Sequence, residues 1–244
     1  LADPRSSGIV DANRRTLGAM TIALDDAVGG VLDALDRNGV ASDTIVAFVN
    51  DNGGPEDDLG LLAPNRSDNG TLRGNKSRLY EGGIRLPFAI RWPAGVAPAL
   101  VGTTLDDVVS TLDLLPTFAA AAGIDATGGA ERDGGDLTPR LTGASATPLA
   151  RRLVWRTAGA ETGTSAIRLV DWKMVRDNVS GTVELFDIAA DLSEANDLAQ
   201  SRPARVALLE HALADAEDDL IEPLWAGAAL TKSVLELEVC HAPI

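Results

Sequence analysis

The chain has 244 residues, 45% of them hydrophobic, and 36 acidic side chains against 21 basic ones give it a formal net charge of −15. That length and apolar content suit one sizeable core or a domain and a half and exclude a disordered composition. The charge excludes nucleic acid or an anionic membrane as a general partner, because both need a basic footprint.

The first residue is Leu1, and no charged-then-apolar leader follows it, so a trimmed or partial chain is expected. The single cysteine, Cys240, rules out an internal disulfide. No apolar run is long enough to span a bilayer.

From Asp11 to Asn38, Leu17, Met20, Leu24, Ala27, Val28, Val31, Leu32 and Leu35 recur at steps of three and four, which predicts a helix with one apolar stripe. Gly39 supplies its stop. Thr44 to Val49 is a short, β-branched apolar run and reads as a strand buried on both faces of a parallel sheet. Helix, turn and buried strand together predict an α/β fold. Asn50 to Arg85 reads as one long polar loop, and loops of this length in compact domains are usually functional or disordered. Leu86 to Trp92 is the next strand, and Val108 to Ala122 a helix interrupted by Pro116. The stretch from Gly128 to Pro148, rich in Gly, Thr and Pro, reads as a linker or surface loop. After Arg151, four short runs (Leu153–Arg156, Ala166–Leu169, Trp172–Val175, Val183–Phe186) predict a small antiparallel sheet, and Pro203 to Leu220 a closing helix.

The long loop holds the chemistry. Asp51 and Asn52 lie just past a strand end, where open α/β sheets bind ligands. Their oxygens are hard donors suited to Ca²⁺ or Mg²⁺; the same residues also read as a tight Asn-Gly turn, and the two readings are compatible. From Arg66 to Arg91, six basic residues (Arg66, Arg73, Lys76, Arg78, Arg85, Arg91) face two acidic ones (Asp68, Glu81), a net +4 inside a chain of −15. An anion site would need such a local exception. Lys76 is one of three lysines in the chain. Its setting, Gly74-Asn75-Lys76-Ser77, misses the spacing of a phosphate-binding P-loop by one residue. Asp191, Glu194, Asn196 and Asp197 look like a cation site by composition and read as turn and capping residues. Trp92, Trp155, Trp172 and Trp225 read as packing residues.

"DNGG" after "TIVAFVN", then "LRGNKSRLYEGGIRLPFAIRWPAGV", "VVSTLDLLPTFAAAAGI" and "DGGDLTPRLTG", in this order, resemble the C-terminal half of the type I, arylsulfatase-like sulfatases of the alkaline phosphatase superfamily. "AIRLVDWKMV" and "ELFDIAADLSEANDLA" are similar to that family's small C-terminal subdomain. The resemblance implies part of an alkaline-phosphatase-like mixed or parallel sheet sandwich over residues 1–150, a small α+β subdomain over 151–225 and a tail over 226–244. It implies sulfate-ester hydrolysis with Ca²⁺ (or Mg²⁺), with Asp51 and Asn52 as metal ligands. Lys76 is implied as the catalytic lysine that binds the sulfate group and supports the departing oxygen. Arg73 and Glu81 are expected to stand behind Lys76 and orient it. The family's nucleophile is a formylglycine made from a C/S-x-P-x-R motif, and the expectation is a chain without it: Cys240 has its proline at the wrong offset and no arginine. The family's first Asp-Asp metal pair and its active-site histidine have no counterpart either, since the only histidines are His211 and His241. The implied partners are a small-molecule or carbohydrate sulfate ester and the N-terminal half of the catalytic domain, with no nucleic acid and no membrane; the compartment is not implied. Two other readings stand beside this one: a phosphodiesterase or phosphonate hydrolase of the same superfamily, and a non-catalytic ligand-binding or structural remnant.

Overall fold

A computed structural model describes residues 3–55, 67–124, 133–149, 151–157 and 163–220. Arg66, Trp225, Cys240, His241, the start of the 128–148 stretch and the 226–244 tail lie outside the described residues. The elements are α1 (Ala12–Arg37), β1 (Val46–Val49), α2 (Glu81–Ile84), β2 (Phe88–Arg91), α3 (Leu114–Ala121), α4 (Thr138–Leu141), β3 (Arg152–Arg156), β4 (Thr164–Leu169), β5 (Trp172–Asp177), β6 (Val183–Asp187) and α5 (Pro203–Asp218). They form two compact units, one of Leu1–Asp68 with Leu86–Ala150, the other of Asn69–Arg85 with Arg151–Ile244.

In the first unit, α1 opens at Asp11, whose carboxylate accepts the backbone N–H of Arg14 at 2.8 Å. It closes before Gly39, which sits at φ +68°. Its apolar stripe is largely open: Ala19 is buried, but Met20, Leu24 and Val31 are exposed. β1 corrects an expectation. It pairs antiparallel with β2, Val46 opposite Arg91 and Val49 opposite Phe88, in a two-stranded sheet. Every strand pairing among the described residues is antiparallel. β1 is also only half-buried, because β2 is its one described neighbour and Phe48 stays exposed.

The helix expected from Val108 is not interrupted at Pro116; it starts later. Ser110 and Asp113 form a capping box around a 3-10 turn (Thr111–Asp113), and α3 begins at Leu114. Pro116 then falls in the first turn, where its missing N–H has no helical partner to lose. Buried Asp113 also accepts the N–H of Gly135 at 2.8 Å, and Thr117 Oγ1 accepts that of Leu137 at 3.0 Å. Arg140 pairs with Asp107 at 3.1 Å. The "DGGDLTPRLTG" stretch is therefore not a linker; it carries α4 and is bonded to the start of α3.

The second unit is a meander, β3-β4-β5-β6, each strand antiparallel to the next. Alternation splits its side chains between two faces. Ile167, Met174 and Leu185 pack with Leu209 and Leu213 of α5, all fully buried. On the other face Ala166, Val175 and Phe186 pack with Leu79 and, beyond it, Tyr80 and Ile84. The sheet is thus covered by α5 on one side and by the Asn69–Arg85 segment on the other. Of the tryptophans, Trp155 and Trp172 pack against these two clusters. His211 lies on the open side of α5. No helix among the described residues is long and apolar enough to cross a membrane.

Candidate functional site

Asp51 and Asn52 follow β1 directly. Antiparallel pairing continues one step past the strand, with Asn50 N–H donating to the carbonyl of Pro87 at 3.4 Å. Asn52 turns back on its neighbour: its backbone N–H and its side-chain amide donate to Asp51 Oδ1 at 2.9 and 3.2 Å, and the amide also donates to the Gly53 carbonyl at 3.3 Å. Turn and ligand readings coexist here, since the amide's donors are engaged and its oxygen accepts from no described residue. The donor types suit a hard cation. Yet among the described residues no group of three or more His, Cys, Asp or Glu side chains could hold a metal. Ca²⁺ takes about six to eight oxygens. Asp51 and Asn52 fit as two members of a ligand set and do not make a site.

Lys76 lies in the second unit with Arg73 and Glu81. It caps a tight turn from Gly74 to Arg78, closed by Arg78 N–H to the Asn75 carbonyl at 2.9 Å. Gly74 and Ser77 both have positive φ, +79° and +74°; for serine that is a sparsely populated, costly conformation. The turn lies hard against α2. A Cβ on Gly82 would stand 2.1 Å from the Gly74 carbonyl oxygen, and one on Gly83 2.1 Å from that of Arg78. Only glycine admits this approach. Asn75 and Leu79 on either side of the lysine are buried, whereas Lys76 itself is exposed.

The basic stretch divides into paired and unpaired cations. Arg73 pairs with Glu184 at 3.0 Å and stacks 3.9 Å above the Tyr80 ring. Arg85 pairs with Glu81 at 3.5 Å, and Arg91 with Asp36 at 3.8 Å. The Lys76 and Arg78 side chains pair with no described residue. Arg73 and Glu81, expected to orient Lys76, are bonded elsewhere. Arg73 also reaches the Glu194 carbonyl at 3.3 Å, and its own carbonyl accepts Gly82 N–H at 2.7 Å.

Sequence reasoning missed the group around Glu81. Lys173 of β5, fully buried, holds Glu81 at 2.9 Å and Glu194 at 2.8 Å, both carboxylates also buried. Arg168 of β4 stands 3.6 Å from Glu81. Burial pushes the Glu194 carboxyl above its ordinary range against the pull of Lys173. The other polar residues of that loop do make turns and caps. Asp191 accepts Asn196 N–H and the Ser193 hydroxyl, each at 2.8 Å, and those bonds, the Asn196 N–H foremost, bring its carboxyl down to about 2. The available signal was a lysine inside an otherwise apolar strand, Trp172-Lys173-Met174-Val175.

The nucleophile pattern needs a correction. S-x-P-x-R does occur, at Ser201-Arg202-Pro203-Ala204-Arg205. It is the start of α5: Pro203 occupies the first turn, Ser201 Oγ donates to the Leu198 carbonyl at 3.1 Å, and Arg205 stacks 4.9 Å over Trp172. These residues serve the helix start, on the α5 side of the sheet, opposite the side covered by the Lys76 segment.

The family profile Sulfatase matches residues 11–124 of this chain. Mouse (Mus musculus) steryl-sulfatase is 39% identical over 121 residues, 49% of this chain and 19% of that protein. Human (Homo sapiens) arylsulfatase A is 36% identical over 137 residues, 56% of this chain and 25% of that protein. Among solved structures, Ps i-CgsB in complex with k-i-k-neocarrahexaose matches with a TM-score of 0.80 at 26% identity, covering 98% of this chain and 52% of that one. BT1596, a 2-O GAG sulfatase, matches with a TM-score of 0.59 at 27% identity, covering 79% and 40%. The chain thus spans about half the length of the first of these structures and a quarter or less of the curated relatives.

Proposed function

We propose that this chain supplies the leaving-group side of a sulfate-ester hydrolysis site and does not complete the reaction by itself. Lys76 contacts the sulfate group and stands by the bridging oxygen. As the S–O bond breaks, that oxygen takes on alkoxide charge, and a cation already fixed in place stabilises it without reorganising. The observation that carries this reading is the Lys76 turn. The lysine is exposed and pairs with no described residue, while Arg73, Arg85 and Arg91 of the same stretch are paired. Its backbone is held by two glycines that admit no side chain.

Asp51 and Asn52 are proposed as two ligands of a Ca²⁺ or Mg²⁺ ion, which when bound would draw charge from the sulfuryl oxygens. The formylglycine nucleophile that the family uses would come from sequence outside these 244 residues, with the remaining ligands. The substrate class is a small-molecule or carbohydrate sulfate ester; the oligosaccharide complex of one structural relative favours the carbohydrate.

The test is an assay of the chain with a chromogenic aryl sulfate and Ca²⁺. No turnover is expected. Turnover that is lost in Lys76→Ala would overturn the claim of incompleteness.

A further inference from the structure

We propose that the buried Glu81–Lys173–Glu194 group is the positioning element for Lys76: the C-terminal sheet, through these three side chains, holds the turn that presents the lysine. The inference rests on the reading of Lys76 given above.

The contacts form an unbroken path within the second unit. Lys173 projects from β5 on the face away from α5 and is fully buried between two carboxylates. Glu194 spends its second oxygen on the backbone, accepting the N–H of Glu81 at 2.7 Å and so fixing the first residue of α2. The next residue, Gly82, donates to the Arg73 carbonyl at 2.7 Å, and Gly82 and Gly83 carry the carbonyls of Gly74, Asn75 and Arg78 in close contact. Arg73 closes a second link, bonding Glu184 of β6 and the carbonyl of Glu194. The Lys76 turn is therefore clamped at both ends to residues of the small sheet. Glu194 adopts φ +53°, and strain of this kind persists only where the surroundings hold it. A buried ion group adds little net stability over an apolar substitute but fixes a geometry, because leaving one charge unpaired is costly. That is the property a positioning element needs.

The experiment compares the chain with Glu194→Gln, which keeps an acceptor for Glu81 N–H but removes the charge, and with Glu194→Asp, which keeps the charge. Glu217→Gln is the control; it breaks the 2.7 Å Arg176–Glu217 pair on the α5 side of the same sheet. Two readouts are taken: amide exchange of residues 74–83, and the response of the Lys76 side-chain NMR signals to inorganic sulfate. Glu194→Gln is expected to speed exchange at 74–78 about tenfold relative to Ile167 and Met174 of the sheet. It should also weaken the sulfate response severalfold, with partial recovery in Glu194→Asp and neither effect in Glu217→Gln. Equal effects of Glu194→Gln and Glu217→Gln, or unchanged exchange at 74–78, would overturn the inference. If Glu194→Gln does not fold, Glu194→Asp against Glu217→Gln makes the same comparison. A Lys76 signal indifferent to sulfate in the unaltered chain, with exchange responding as expected, would overturn the reading of Lys76 and leave the positioning role standing.

Discussion

Tyr80 is the chain's only tyrosine and sits next to the elements that fix Lys76. Its hydroxyl donates to Glu184, its ring lies beneath Arg73, and its edge meets Phe186 at a centroid distance of 6.4 Å. Burial, then the bond to Glu184, pushes the phenol from 10.0 up to about 12. In that window the folded chain holds a proton that the unfolded chain has lost, so the contribution of Tyr80 to stability falls as pH rises through it. Tyrosinate absorbance followed against pH should show a midpoint near 12 in the folded chain and near 10 in denaturant. A folded midpoint near 10 would place Tyr80 in solvent and remove the Glu184 bond. At this scale the sequence was partly legible. Gly82 and Gly83 could be read as glycines that let the backbone close on the lysine, because only a residue without a Cβ admits so near an approach. The side-chain partners of Arg73 and Glu81 were not legible, because charge near Lys76 along the chain does not say which partner lies near in space; those partners, Glu184 and Lys173, are about a hundred residues away in sequence.

Among the elements, the meander and α5 were legible almost to the residue. Their strands alternate, turn residues separate them, and Leu209 and Leu213 recur at helical spacing. Both leucines are fully buried against Ile167, Met174 and Leu185. Leu213→Ala should therefore cost about 2–5 kcal/mol, read from chemical denaturation; a loss within experimental error would mean that α5 does not cover this face. β1 was the harder case. Its β-branched run does form a strand, but an unbroken apolar run says only that both faces are suited to burial. It does not say which way the neighbouring strand runs. Pro116 shows the same limit: the residue was noticed, and its tolerance follows from Ser110 and Asp113, which set the helix start only two residues before it.

For the whole chain, the two units differ in how far they satisfy themselves. The second has both faces of its sheet covered, whereas the first leaves Met20, Leu24 and Val31 of α1, Phe48 of β1 and Leu115 and Phe118 of α3 exposed. Open apolar faces of this kind mark surfaces suited to burial against further protein, which agrees with a chain spanning about half the length of its structural relative. The central claim is that such a chain carries one side of a sulfate site, with Lys76 as its anion contact. Calorimetric titration of a sulfated monosaccharide into the chain and into Lys76→Ala tests this most directly. Weak binding that declines with salt in the unaltered chain, and none in the variant, is the predicted result. Identical isotherms for the two chains would contradict it.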